Sequence, residues 1–171
     1  LKNFGNTLDF EVEEISAQEI DDVSVSSTKI RNALLQADIE TANSYLGYNY
    51  MLNGEVTRGK GLGKTIGFPT ANIKILEDYK LIPRNGVYAV QCKVDGIVSP
   101  GMMNIGLNPT VDGSSQSIEV NLFDVDQDLY NKKIKVEFVA HIRDEQKFDS
   151  VNALKNQLQK DKETTLKLFE K

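Results

Sequence analysis

Gly86-Val-Tyr-Ala-Val-Gln-Cys-Lys-Val-Asp-Gly-Ile-Val-Ser-Pro-Gly-Met-Met-Asn-Ile105 is the stretch whose reading decides the fold. Two alternating runs, 86–94 and 97–105, flank Asp95-Gly96. That dipeptide favours the tight turn whose backbone twist matches a β-hairpin. Working outward, further strands are expected at 50–57, 71–75, 117–124 and 133–142, divided by turn signals at Pro83-Arg-Asn-Gly86, Asn108-Pro109 and Asp112-Gly113. Six short strands without long helices between them predict a closed antiparallel barrel, because closure removes the exposed edges an open sheet would leave. The tail adds a helix. Asp149 and Ser150 are capping residues, and Val151, Leu154 and Leu158 recur at helical spacing; Leu166 and Phe169 either continue this helix or follow a restart at Asp161. Its apolar stripe is expected to pack on the barrel.

The first 48 residues have a different texture. Residues 7–15 alternate and read as a strand, and Ser26-Ser27-Thr28 supplies cap chemistry for a helix over 29–36, with Ile30 and Leu34 on one face. Asp38 caps a second short helix ending at Gly47. A chain that begins at Leu1 is read as a piece of a longer protein.

Composition bounds the function. The chain has 171 residues, 40% hydrophobic and 26% charged, which is ordinary for a globular protein with a real core. A net charge of −5 argues against a general attraction to nucleic acid or to an anionic membrane, so any anion site must be local. No apolar run approaches a membrane span and no signal-peptide pattern opens the chain. Cys92 is the single cysteine, so no internal disulfide forms and a reducing cytoplasm is expected.

Chemistry concentrates between Gly54 and Asn72. Five of the 12 glycines (54, 59, 61, 63 and 67) fall here, interleaved with Arg58, Lys60 and Lys64. Glycine lets successive N–H groups approach phosphate oxygens, and the cations reinforce such a concavity. The familiar phosphate fingerprints do not fit. Five positions before Gly63-Lys64-Thr65 stands Arg58 where a P-loop needs glycine, and Gly59, Gly61 and Gly63 are spaced two apart, unlike a dinucleotide fold. A glycine-rich hairpin tip with solvated lysines would have the same composition. The residues just past the glycines are more telling: in an extended segment Thr70 and Asn72 share a face, offering a hydroxyl and an amide oxygen that suit magnesium. Two neutral ligands bind it weakly, as expected if the metal arrives with ATP. Farther on, Ile118, Val120 and Leu122 share one face of a strand and leave Glu119 on the other with Asn121. By pattern alone that is the position of a solvated glutamate.

The segment Gly59 to Asn72, closing on Gly67-Phe-Pro-Thr-Ala-Asn72, resembles the signature of the riboflavin kinases. The likeness continues through Gly86-Val-Tyr-Ala-Val90, Asn104-Ile-Gly-Leu-Asn-Pro-Thr110, Ile118-Glu-Val-Asn-Leu-Phe-Asp124 and Ile142-Arg-Asp-Glu-Gln-Lys-Phe-Asp-Ser150. It implies a mainly β fold, a six-stranded antiparallel, Greek-key-like barrel with a C-terminal helix, over residues 49–171. It also implies an activity, transfer of the γ-phosphate of ATP to riboflavin to give FMN. Glu119 would be the catalytic base; Gly59, Lys60, Gly61, Gly63, Lys64, Gly67 and Thr70 would hold ATP phosphates; Thr70 and Asn72 would ligate Mg2+; Arg143 and Phe148 would contact flavin. Lys64, nearer the metal ligands in sequence, is favoured over Lys60. Asn108 stands where many family members carry arginine, so no role is assigned to it.

In bacteria this kinase is usually fused behind an FMN adenylyltransferase domain, which makes residues 1–48 an α/β remnant of that nucleotidyltransferase fold and the rest of that domain the expected partner. Val25-Ser-Ser-Thr-Lys-Ile-Arg31 resembles its last phosphate motif, but the histidine motif expected at its front is absent, since His141 is the chain's one histidine. No adenylyltransferase activity is expected, and Ser27, Thr28 and Arg31 read as a cap and a solvated face. His141 and Cys92 are assigned to structure. Two other readings compete: a non-catalytic barrel that holds flavin or nucleotide for a partner domain, which would have no need of Glu119, and an oligonucleotide-binding barrel, for which a basic aromatic face is missing.

Overall fold

A computed structural model describes residues 19–20, 23–59, 62–110 and 113–170. The strand expected at 7–15, and Lys60 and Gly61 of the glycine-rich stretch, lie outside the described residues. The chain opens on two-residue strands β1 (Glu19–Ile20) and β2 (Val23–Ser24), paired antiparallel. Helices α1 (Ser27–Leu35) and α2 (Ile39–Leu46) follow. Ser26 Oγ accepts the Lys29 amide, Asp38 Oδ1 accepts the Thr41 amide, and Gly47 ends α2 at φ 75°. These are the start and stop signals of the sequence, satisfying donors and carbonyls that a helix end leaves bare.

The barrel consists of β3 (Met51–Thr57), β4 (Ala71–Ile75), β5 (Gly86–Val94), β6 (Ile97–Thr110), β7 (Gly113–Leu122) and β8 (Lys133–Arg143). It closes in the order β3-β4-β7-β6-β5-β8, with β3 paired to β8. β5, β6 and β7 form a meander, and β8 returns to lie between β5 and β3 in the Greek-key-like manner expected. Asp95 and Gly96 turn the β5–β6 hairpin at φ 49° and 84°. Strand β6 runs farther than expected: Asn108 and Pro109 sit in a two-stranded ribbon, paired with Ser115 and Ser114, because the β6–β7 partnership continues past the barrel wall. A one-turn helix, α3 (Leu62–Thr65), forms where a glycine-rich loop was expected. Helix α4 (Val151–Phe169) starts at its Ser150 cap and runs through Asp161 without restarting.

Among the described residues the apolar side chains gather in two clusters. Inside the barrel lie Leu52, Val56, Tyr88, Val90, Met103, Ile105, Val120, Val136 and Phe138, with the Phe138 ring edge-on to Tyr88 at 5.3 Å and tilted against Tyr50 at 6.1 Å. Ala33, Leu34, Ala37, Ile39 and Ala42 of the helical pair belong to this same cluster. The helices are therefore anchored to the barrel core. Asn43 ties them further, donating to the Phe138 carbonyl at 2.9 Å and accepting the Tyr50 amide at 2.7 Å. The second cluster, Phe68, Met102 and Phe123, lies on the outer wall with Ile66, Leu158 and Leu166, so α4 covers one outer face.

Cys92 is buried, and its apolar surroundings push the thiol far up. His141 lies beside the Tyr88 ring at 5.1 Å, and its Nε2 is buried without a hydrogen bond, Asp144 Oδ1 standing off at 3.5 Å. Desolvation, the largest influence on His141, lowers its pKa below the ordinary value.

Two outcomes are expected. Leu34→Ala costs the whole domain about 2–5 kcal/mol, and thermal melting shows one transition at lower temperature, with the barrel and the helices unfolding together. Because the unfolded chain takes up the His141 proton first as pH falls through about 6.5, the folded state loses stability below that pH and regains it above; His141→Asn flattens that part of the profile in urea titrations at stepped pH.

Candidate functional site

Strand register builds the site. Asn72 on β4 pairs directly with Glu119 on β7, and directly opposed side chains of an antiparallel pair share a face. Core positions Ile73, Ile118 and Val120 point inward, so Asn72 and Glu119 stand on the outer wall. Thr70, two residues before Asn72, lies on the same side and donates its hydroxyl to Glu119 Oε2 at 3.0 Å. A hydroxyl has one proton and two lone pairs. With the proton given to Glu119, both lone pairs remain available to a cation. Asn121, next on the outer face of β7, donates to the Pro69 carbonyl at 2.6 Å and fixes the approach to Thr70.

The row continues around the barrel. Thr57 pairs with Asn72, Asn72 with Glu119, Glu119 with Asn104, Asn104 with Val87, and Val87 with Arg143. One residue from each strand thus lies on a single belt. Arg143 and Glu119 stand three strand spacings apart on it, about 14 Å at ~4.8 Å per strand. Between Val87 and Tyr88 the partner on β8 jumps from Arg143 to His141, so Ile142 is an extra residue; such bulges bend a strand and re-aim its side chains.

Two cavities meet at Thr70. The first, about 450 Å³, lies between the outer wall and α4; Phe68, Val87, Met102, Leu154 and Leu158 give it apolar sides, with Glu119 toward one end of the belt and Arg143 and Phe148 toward the other. The second, about 490 Å³, is lined by Lys64, Pro69, Thr70 and the segment from Val125 to Tyr130. Tyr130 carries the Arg58 guanidinium over its ring at 5.5 Å, which joins the start of the glycine-rich stretch to this segment.

The glycines serve in different ways. A Cβ on Gly59 would overlap the Asn72 amide, and one on Gly63 would overlap the Phe68 carbonyl, so both positions need bare backbone. Gly67 takes φ 86° and ends the α3 turn, where the amides of Ile66 and Phe68 both donate to the Gly63 carbonyl. The Gly67 amide itself donates to the Lys64 carbonyl at 3.4 Å. Lys64 is exposed and borders the second cavity. Arg143 is not a free cation, for its Nε and Nη2 both bond the buried Asp161 carboxylate. Among the described residues no group of three or more His, Cys, Asp or Glu side chains is placed to hold a metal. Thr70 and Asn72, beside one carboxylate, are the oxygen donors the site offers to a hard cation that brings its other ligands with it.

Alternation placed Thr70 with Asn72 and Glu119 with Asn121, and the family resemblance singled out Glu119 as base; the strand register is what brings the two pairs together, and neither reading gave a part to Asn104 or the 125–130 wall. Asn104 had a signal, its place on a strand two residues from Met102, while the 125–130 segment is irregular and shows no period.

Comparison with known proteins places the chain in a family. A family model described as flavokinase, riboflavin kinase, matches residues 46–169. The bifunctional riboflavin kinase/FMN adenylyltransferase of Bacillus subtilis is 43% identical over 161 residues, which is 92% of this chain and 50% of the relative. The chain thus spans about half the length of the curated relatives it matches. A crystal structure from Streptococcus pneumoniae, described as a macrolide-efflux protein, superposes with a TM-score of 0.88 at 38% identity, over 96% of this chain and 54% of that one. Among the described residues here no helix is long and apolar enough to cross a membrane. Riboflavin kinase from Trypanosoma brucei, 23% identical over 71% of this chain and 77% of its own, shares the fold with a TM-score of 0.51. With the match running from the end of α2 through α4 and the identity spread along nearly the whole chain, this protein belongs to the riboflavin kinase family.

Proposed function

We propose that the chain is an ATP-dependent riboflavin kinase that transfers the γ-phosphoryl group to the terminal ribityl hydroxyl of riboflavin and releases FMN and ADP. The hydrogen bond from Thr70 to Glu119 at the junction of two cavities carries this reading. The apolar cavity under α4 suits a flat tricyclic ring stacked near Phe148, with the ribityl chain directed along the belt to Glu119. The second cavity, bordered by Lys64, suits the nucleotide. Glu119 takes the proton of the attacking hydroxyl as its oxygen bonds the γ-phosphorus and the bond to ADP breaks. A positioned base of this kind contributes about 10²–10⁴-fold in rate. Orientation of the two substrates and neutralisation of phosphoryl charge contribute the rest. Lys64 supplies part of that positive charge.

Thr70 and Asn72 would hold Mg2+ arriving with ATP, and the bare Gly59 backbone keeps the Asn72 amide in place beside them. Bound there, the ion neutralises phosphate oxygens. In a longer protein of the relatives' kind, the adenylyltransferase half would consume the FMN made here, and the cytoplasm, where ATP is present, is the compartment this reading implies.

Riboflavin, ATP and Mg2+ incubated with the chain should yield FMN by chromatography, and FMN with ATP should yield no FAD. Glu119→Gln is expected to keep nucleotide affinity while kcat falls by about 10²–10⁴-fold; unchanged turnover would remove Glu119 as base and favour a binding module. Gly59→Ala pushes the Asn72 amide aside, so the Mg2+ concentration for half-maximal turnover should rise several-fold, with riboflavin affinity unaltered.

A further inference from the structure

Asp161 is the charged residue most deeply buried among the described ones, at 1% exposure in the middle of α4. Uncompensated, a carboxylate there would be strongly unfavourable. It is met from two directions. Arg143, at the end of β8, donates Nε to Oδ1 and Oδ2 at 3.1 and 3.0 Å and Nη2 to Oδ2 at 2.8 Å. Gln157, one turn earlier on α4, donates to Oδ1 at 2.8 Å. Arg143 Nη1 then donates to the Asp144 carbonyl at 3.0 Å, and the guanidinium stands 5.8 Å from the centre of the Phe148 ring.

This network occupies three of the five guanidinium N–H groups. It also reaches both parts of one cavity wall. Glu145, Gln146 and Phe148 lie on the connection from β8 to α4, while Leu154 and Leu158 lie on α4 itself; all five line the cavity that suits flavin. The connection has no secondary structure of its own, so nothing in its backbone ladder fixes its path. Arg143 is held from α4, and it holds the first residue of that connection.

We infer that Asp161 is a positioning residue for riboflavin: by immobilising the Arg143 guanidinium it fixes the 144–149 wall against α4 and sets the width of the flavin cavity. This rests on the proposed kinase function. Asp161 touches no substrate and acts through Arg143. The second cavity shares no lining residue with this wall, so nucleotide binding should be indifferent to it.

The test is Asp161→Asn in the whole chain, which keeps the side-chain shape and an acceptor oxygen but removes the charge that orients the guanidinium. Riboflavin affinity, read without ATP from quenching of flavin fluorescence, is expected to weaken at least tenfold. KM for riboflavin should rise in parallel, while KM for ATP and kcat at saturating riboflavin stay within twofold of wild type. Asp161→Asn with unchanged flavin affinity overturns the inference, and so does an equal loss in both KM values and kcat, which would mark a general packing role. If Asp161→Asn does not fold, Gln157→Leu removes one donor and leaves the Arg143 bridge; a two- to threefold weaker flavin affinity supports the inference, and no change overturns it. Wild-type chain that turns over riboflavin beside an unaltered Asp161→Asn sinks this inference alone, whereas wild-type chain that neither binds nor phosphorylates riboflavin sinks the kinase reading and this inference with it.

Discussion

The pairing of Asn72 with Glu119 is the constraint on which the rest of the site depends. Side chains alternate along a strand, so a slip of one residue between β4 and β7 would send the glutamate into the core and an apolar residue to the outer wall. An open sheet could tolerate such a slip at an edge. Here β3 closes on β8, every strand of the barrel has two neighbours, and the buried set of Val56, Ile73, Ile118 and Val120 locks the register from inside. The hydrogen bond from Thr70 to Glu119 is then a consequence of packing, made between strands that the core has already aligned.

A closed barrel this small fills its interior with side chains and has no room for a ligand there. The candidate site lies instead on the outer wall. That wall needs a cover, and α4 supplies it through Leu158 and Leu166 packed over Phe68, Met102 and Phe123. The cover is held by a charge pair as well as by apolar contact, since Arg143 crosses from the end of β8 to Asp161. Exposed ion pairs such as Arg84 with Asp144 contribute little by comparison.

Much of this was legible in the sequence. Strands showed themselves by alternation and by Asp95-Gly96, and helix ends by Ser26, Asp38, Gly47 and Ser150. The family likeness through Pro69-Thr-Ala-Asn72 directed attention to Glu119, which alternation alone would have left as a solvated residue. Three features stayed hidden for physical reasons. Asn108-Pro109 carries turn chemistry, yet proline fits a ribbon where its missing N–H is not required, and β6 runs through it. Five glycines argued for a loop, but Leu62–Thr65 makes one helical turn closed by Gly67. Asp161 looks like a helix start in any local window; only its partner 18 positions earlier, across the cavity wall, makes it a buried acid in a continuous helix.

The most direct measurement is a crystal structure of the chain with riboflavin, Mg2+ and ADP. The account predicts the ion on Thr70 and Asn72, the flavin ring under α4 beside Phe148, and the Glu119 carboxylate within hydrogen-bond distance of the terminal ribityl oxygen. Flavin lodged elsewhere, or a ribityl terminus remote from Glu119 with the ion held by other residues, would contradict it.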